Sequence, residues 1–325
     1  MSRRILVTGG CGYIGSALVP RLTAAEWQVT VLDLMLYGDA GLHDLPGVEL
    51  HIGDVRDRAR LVELVPGHDA ILHLAFVSND PGRELPHAIG ESINRNGFSN
   101  VLAAARDAGV ARFVFASSCS VYGARGQQRC DEATPPDPLT QYARDKLACE
   151  RLMFADGGAM AVTAVRAATV SGPAPRLRLD LVVNRMTATA YYENEVVIAD
   201  PETVRASVHV DDLAAVYAAL LDRPPEQIAG RVVNVAAGSW RLGDLAVDIA
   251  ARAGARWRCS GGSIDRRSYA VACTELVRLG IAVTRTPLDA ASELMDRFAA
   301  GVYPGAPHDD RYHNVRVERR RWGHA

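Results

Sequence analysis

The stretch Ile5-Leu6-Val7-Thr8-Gly9-Gly10-Cys11-Gly12-Tyr13-Ile14-Gly15 is an apolar run that ends in a glycine loop and passes directly into a helical pattern. Gly9, Gly12 and Gly15 hold the first, fourth and seventh positions of the loop. Each has a physical reason: a tight turn, close approach of backbone to a pyrophosphate, and close packing of helix on strand. The helix that starts at Tyr13 and Ile14 turns its N-terminal N–H groups toward that negative charge. A second apolar run ends in Asp33, 18 residues after Gly15. A carboxylate there accepts the ribose hydroxyls of an adenosine and repels a 2′-phosphate, which favours NAD over NADP. Asp54 and Val55 follow the third run, where an adenine edge is read.

The first half of the chain repeats this rhythm. Apolar runs at 5–8, 29–32, 48–52, 70–74, 113–116 and 162–165 are bounded by glycine and proline and separated by helix-like stretches. That pattern predicts successive βα units, hence an α/β protein with a doubly wound, Rossmann-type parallel sheet. The rhythm breaks at Ser171-Gly172-Pro173-Ala174-Pro175, resumes with a helix at 210–221 and a strand at 231–235, and departs again from Gly238. Two interleaved units are expected: a dinucleotide-binding domain of residues 1–168 and 206–238, and a smaller mixed α/β substrate domain of 169–205 and 239–310. Residues 311–325 read as a solvated basic tail, because Arg316 to Arg321 form a charge cluster.

Bulk composition narrows the function classes. Of 325 residues 48% are hydrophobic, and the net charge of −2 provides no field to gather nucleic acid or an anionic bilayer. No apolar run reaches membrane-spanning length and the first one leads directly into the glycine loop, so the expectation is a cytoplasmic protein without a leader that binds neither nucleic acid nor membrane. The six cysteines, Cys11, Cys119, Cys130, Cys149, Cys259 and Cys273, show no C-x-x-C pair, and no metal site is assigned.

All but one of the 36 basic residues are arginine. The single lysine, Lys146, falls four residues after Tyr142 in a helical stretch at 140–153, so the two side chains share one face. An ammonium beside a phenol favours the phenolate, a usable base. Random placement of one lysine four positions after one of ten tyrosines has a chance of about 3%. Upstream, Ser117, Ser118 and Ser120 follow the fifth strand at the carboxyl edge of the sheet, where such folds bind ligands.

These marks together resemble the extended short-chain dehydrogenase/reductases, in particular the NAD-dependent nucleotide-sugar epimerase/dehydratase family. The resemblance rests on the glycine loop, Asp33, His73-Leu74-Ala75, Ser118, Tyr142 and Lys146, and extends to about residue 300 through Asn94-Arg95-Asn96-Gly97, Pro138 to Lys146, Arg205 to Asp212, Asn234 to Gly238 and Asp265 to Tyr269. It implies Tyr142 as the base, Lys146 as its partner and a nicotinamide-ribose ligand, and Ser118 as the hydroxyl that orients the reacting oxygen. Leu74 and Ala75 would flank the cofactor, and Asn94 would hold a water or a backbone group near Lys146. Substrate contacts would come from Ser78, Ser118, Thr169, Arg205 and Arg267, with Arg205 neutralising the diphosphate of a nucleotide-diphosphate sugar. His209 is expected to be structural. The resemblance also implies a homodimer packed through the helices that follow Asn94 and Tyr142.

Departures from the family pattern select among reactions. The 4,6-dehydratases carry Asp-Glu where this chain has Cys119 and Ser120, and decarboxylating members carry Glu at the Ser120 position. In epimerase-reductases of GDP-sugars a cysteine occupies that same position, one residue later than Cys119. Thr169 replaces an asparagine. The favoured expectation is a nucleotide-sugar epimerase acting at C4 through a transient keto sugar. A 4-ketoreductase that consumes reduced cofactor is the alternative, and a non-catalytic dinucleotide-sensing protein is the third reading.

Overall fold

The computed structural model describes residues 3–77, 87–261 and 268–323. Five of the expected runs form the strands β1 (Arg3–Thr8), β2 (Trp27–Asp33), β3 (Val48–Ile52), β4 (Ala70–His73) and β5 (Arg112–Ser118). Strands Ala161–Ala167 and Arg231–Val235 complete a seven-stranded sheet in which every neighbouring pair is parallel. The order runs Arg231–Val235, Ala161–Ala167, β5, β4, β1, β2, β3. Chain direction across the sheet therefore reverses between β1 and β4, and a crevice opens at the carboxyl ends of those two strands. The inner strands are buried on both faces, which is why they read as continuous apolar runs, whereas the edge strand β3 is partly exposed.

The smaller unit grows from the same edge. Its three-stranded sheet joins Thr169–Ser171 and Gly238–Arg241 to the two sides of Val204–His209, and a second pair aligns Glu195–Ile198 with Arg256–Cys259. Helices Val182–Glu193 and Leu242–Ala253 pack around a separate apolar cluster that includes Val183, Met186, Val196, Ile249 and Ala291. Tyr13 ties the two units together, donating from its hydroxyl to the Gly172 carbonyl at 2.6 Å and accepting from Asn184 Nδ2 at 3.1 Å. His209 is fully buried and caps the helix Val210–Asp222, its Nδ1 accepting the Asp211 N–H at 3.1 Å.

The basic tail differs from expectation. Residues Asn314–Trp322 form a helix whose Arg319, Arg320 and Arg321 are exposed, as a solvated cluster should be. Its other face is docked. Asn314, Glu318 and Trp322 recur at four-residue spacing, so all three point inward: Asn314 and Glu318 are buried, and Trp322 packs against the apolar cluster of the larger unit.

Behind the carboxyl edge of the sheet lies a buried ion pair. Arg166, on Ala161–Ala167, reaches Glu150 with Nε at 3.0 Å and Nη2 at 2.7 Å, and both side chains are almost wholly buried. Ser117 donates to the same carboxylate, and Arg166 Nη1 donates to the Tyr122 hydroxyl at 3.0 Å. Removing one charge leaves the other buried without a partner, so Arg166→Met should lower unfolding free energy by about 3–5 kcal/mol. Glu150→Met combined with Arg166→Met should recover part of that loss. Chemical denaturation of the single and double variants measures both.

Candidate active site

A cavity of about 610 Å³ opens along the carboxyl edge of the large sheet and continues into the smaller unit. The glycine loop, Asp33 and Val55 line it at one part, Ser118, Ser120, Tyr142 and Lys146 at another, and Thr169, Thr203 and Arg205 at a third.

The loop geometry explains its glycines. Gly9 has φ +74°, and a Cβ there would lie 2.5 Å from Ala75 N; a Cβ on Gly15 would lie 2.3 Å from Gly10 O. At Gly12 a Cβ would meet only Gly9 O, at 3.3 Å, so a side chain there would fill space beside the helix start. Gly12 is the N-cap of Tyr13–Ala24 and makes no side-chain cap, and the first N–H groups of that helix border the cavity. This is a cradle for a pyrophosphate. Asp33 is poised beside it: Oδ1 accepts Met35 N–H at 2.7 Å and Oδ2 accepts Cys11 N–H at 2.9 Å. Each oxygen keeps a lone pair for a ribose hydroxyl. Burial raises the pKa of this carboxyl, against those two backbone bonds and the field of Arg176.

At the centre stands the helix Gln141–Asp156, opened by Thr140, whose Oγ1 accepts Ala143 N–H at 3.2 Å. Lys146 is 3% exposed and donates from Nζ to the Ala116 carbonyl at the end of β5. Its ammonium lies 3.5 Å from the Phe76 ring centroid, 4.8 Å from that of Phe115 and 5.6 Å from that of Tyr142. Aromatic faces and one carbonyl replace its water. Burial still dominates and pushes the Lys146 pKa down to about 7, with Cys149, Glu150 and Asp145 opposing. Tyr142 packs edge-on to Phe76, the centroids 5.5 Å apart.

The serines divide their tasks. Ser118 Oγ accepts Ser120 N–H at 3.2 Å, whereas Ser120 Oγ is buried at the cavity wall with no hydrogen-bond partner. An unsatisfied buried hydroxyl bordering a cavity is a candidate ligand contact. Nothing in the sequence singles out Ser120 for this role, because a serine cluster after a strand is common turn chemistry. Cys119 points away, donating to the Arg166 carbonyl at 3.0 Å, and burial raises its thiol far above the ordinary range.

The remaining candidates separate. Gly9, Gly12, Tyr13, Ile14, Gly15, Asp33, Val55, Leu74, Ala75, Ser118, Tyr142, Lys146, Thr169 and Arg205 all line the cavity. Asp54 is not among the lining residues; its carboxylate is held by Arg56, with Nη2 at 2.6 Å. Asn94 also stands behind the wall, where Oδ1 accepts Val77 N–H at 2.8 Å and Nδ2 donates to Val77 O at 3.1 Å, so it holds backbone. Ser78 and Arg267 lie outside the described residues. Arg178, Asp180 and Arg185 also line the cavity, and so do Tyr37, Asn314 and Glu318, which carry no sequence signal because the loop after β2 and the C-terminal helix are brought there only by the fold.

His209, Asp211 and Glu293 converge closely enough to suggest a cation site. The tautomer argues otherwise. Nδ1 accepts a backbone N–H, so a neutral imidazole carries its proton on Nε2, which faces Glu293 Oε2 at 3.3 Å and has no lone pair to offer. Arg285, 3.2 Å from Asp211, balances the acids.

The Lys146 pKa carries a prediction. A lysine whose folded pKa falls from 10.5 to about 7 opposes folding below the unfolded value, and the penalty is complete below the folded one. Lys146→Met should therefore stabilise the protein at pH 7, by a few kcal/mol at most, while abolishing activity. The gain should shrink as pH rises toward 10. Thermal melts across that range measure it.

The sequence profile of the NAD dependent epimerase/dehydratase family matches residues 5–236. The UDP-glucose 4-epimerase of Streptomyces lividans is 30% identical over 254 residues, covering 69% of this chain and 73% of that protein. Among solved structures, the dTDP-glucose 4,6-dehydratase DesIV of Streptomyces venezuelae, with NAD and TYD bound, aligns at TM-score 0.83 and 25% identity, covering 94% of this chain and 100% of the other. The UDP-glucose 4-epimerase of Thermus thermophilus, in complex with NAD, aligns at TM-score 0.77 and 25% identity, with coverages of 93% and 99%. With the glycine cradle, Asp33 and the Tyr142–Lys146 pair on one cavity, the chain belongs to the NAD-dependent epimerase/dehydratase family.

Proposed function

We propose that this protein is a nucleotide-sugar epimerase that inverts C4 through a transient keto sugar. The observation that carries the reading is the single cavity on which Asp33, Tyr142 with Lys146, and Arg205 all open. Gly9, Gly12, Gly15 and Asp33 would hold NAD, with Lys146 at its nicotinamide ribose. Bound NAD supplies a reversible acceptor for the hydride that leaves the sugar carbon.

The chain's own groups handle the proton and the pose. Tyr142 Oη, as the phenolate, takes the proton of the C4 hydroxyl and as the phenol later returns it, and the Lys146 ammonium favours the phenolate before the first event and after the second. The hydroxyls of Ser118 and Ser120 hold the reacting oxygen. Thr169 and Arg205 contact the nucleotide-sugar at the far part of the cavity, with Arg205 paired to the diphosphate charge. Loss of water needs an acid and a base beside the sugar. Cys119 is buried away from the cavity, and Ser120 is a hydroxyl, so these two positions supply neither. The reading includes a homodimer through the helices after Asn94 and Tyr142; Phe154 on the latter is exposed.

Purified protein incubated with a panel of UDP-, dTDP- and GDP-sugars should yield 4-epimers without stoichiometric NADH. A product that requires one NADH per turnover would replace the epimerase by the ketoreductase. Tyr142→Phe should reduce turnover by at least about 10²-fold while NAD remains bound. Full activity in that variant removes the catalytic assignment.

A further inference from the structure

One wall of the cavity is assembled from three distant parts of the chain: Tyr37 after β2, Arg178 and Asp180 beyond the first domain crossing, and Asn314 and Glu318 on the C-terminal helix. Nε of Arg178 reaches Asp180 Oδ2 at a long 3.4 Å, and its two Nη groups make no other hydrogen bond among the described residues. Its side chain retains 16% exposure, directed at the cavity it lines. Asp180 is already committed, accepting the Asn314 N–H at 2.7 Å and facing His313 Nδ1 at 3.6 Å. Glu318 Oε1 is likewise taken, by the Tyr37 hydroxyl at 2.6 Å.

The polar neighbours of Arg178 come from both parts of the cavity: Asp180, Glu318 on the C-terminal helix, Tyr37 on the loop that follows Asp33, and Tyr142. A dinucleotide whose two riboses are set by Asp33 and by Lys146 has its pyrophosphate between them. The glycine loop approaches that group with neutral N–H dipoles, which a helix terminus makes equivalent to only about half a charge. A planar guanidinium with two free donors offers the full charge and a bidentate fit. Burial also pushes Glu318 up to about 7, which lightens the negative charge opposing Arg178.

We propose that Arg178 binds the pyrophosphate of NAD, closing over the cofactor from the side of the smaller unit. The inference rests on the placement of NAD between Asp33 and Lys146. It makes cofactor retention depend on the second unit and on the C-terminal helix, whose backbone holds Asp180 beside Arg178. A cycle that returns its hydride to the same sugar requires such retention.

Calorimetric titration of the full chain with NAD, ADP-ribose and adenosine tests the assignment. Arg178→Met should raise Kd for NAD and ADP-ribose about 10- to 100-fold and leave adenosine unchanged. Arg178→Lys, which keeps the charge and loses the fork, should fall between, and its circular dichroism should match that of the parent protein. Unaltered Kd for NAD and ADP-ribose in a folded Arg178→Met overturns the proposal, including the case where only nucleotide-sugar binding weakens. Asp33→Ala is the separate control: if NAD affinity survives that change, the cofactor placement fails rather than the arginine alone.

Discussion

The buried Glu150–Arg166 pair sets where the chemistry stands. It joins the helix Gln141–Asp156 to the strand Ala161–Ala167 and so fixes how that helix is rotated against the sheet. Glu150 lies one turn beyond Lys146, so rotation of one is rotation of the other. With the helix held, the ammonium meets the Ala116 carbonyl at the tip of β5, and Tyr142 follows one turn earlier. The same arginine reaches Tyr122, whose hydroxyl meets Asn234 at 2.8 Å, linking the catalytic helix to the last strand of the sheet. A charge pair is expensive to bury, and this one is retained with every oxygen of the carboxylate in use.

The lone lysine sits in a site that works against its charge. Desolvation lowers its pKa, while the three aromatic rings and one carbonyl around it supply attraction without a counter-ion. A carboxylate bonded to Nζ would hold the ammonium more firmly and would also cancel its field at the phenol. Glu150, one turn further along the helix, is spent on Arg166. The arrangement leaves the ammonium's field available to Tyr142.

Much of this was legible because it is local. Glycine spacing, the aspartate after β2 and a tyrosine four residues before a lysine are consequences of loop, strand and helix geometry, and each occurs within a few residues of chain. The inner strands were legible for the same reason, since two-sided burial writes continuous apolar runs. What the sequence did not show has another cause. Asp54 lies at the expected strand end, and its carboxylate is engaged by Arg56, two residues on. The tail carries a basic face that reads as solvated, while Glu318 and Trp322 at helical spacing pack on partners far away along the chain.

Sequence by itself determined the fold class and marked the glycine loop, Asp33 and the Tyr142–Lys146 pair that line the cavity, since each is encoded in short-range spacing obeying backbone geometry. Tertiary structure alone decided that Arg178 faces the cavity. Arg166 and Arg178 are indistinguishable as letters; one is locked in an ion pair behind the site, and the other opens on it. The physical reason is that a guanidinium's role depends on which carboxylates have already claimed it, and those come from elements that only the folded chain brings together.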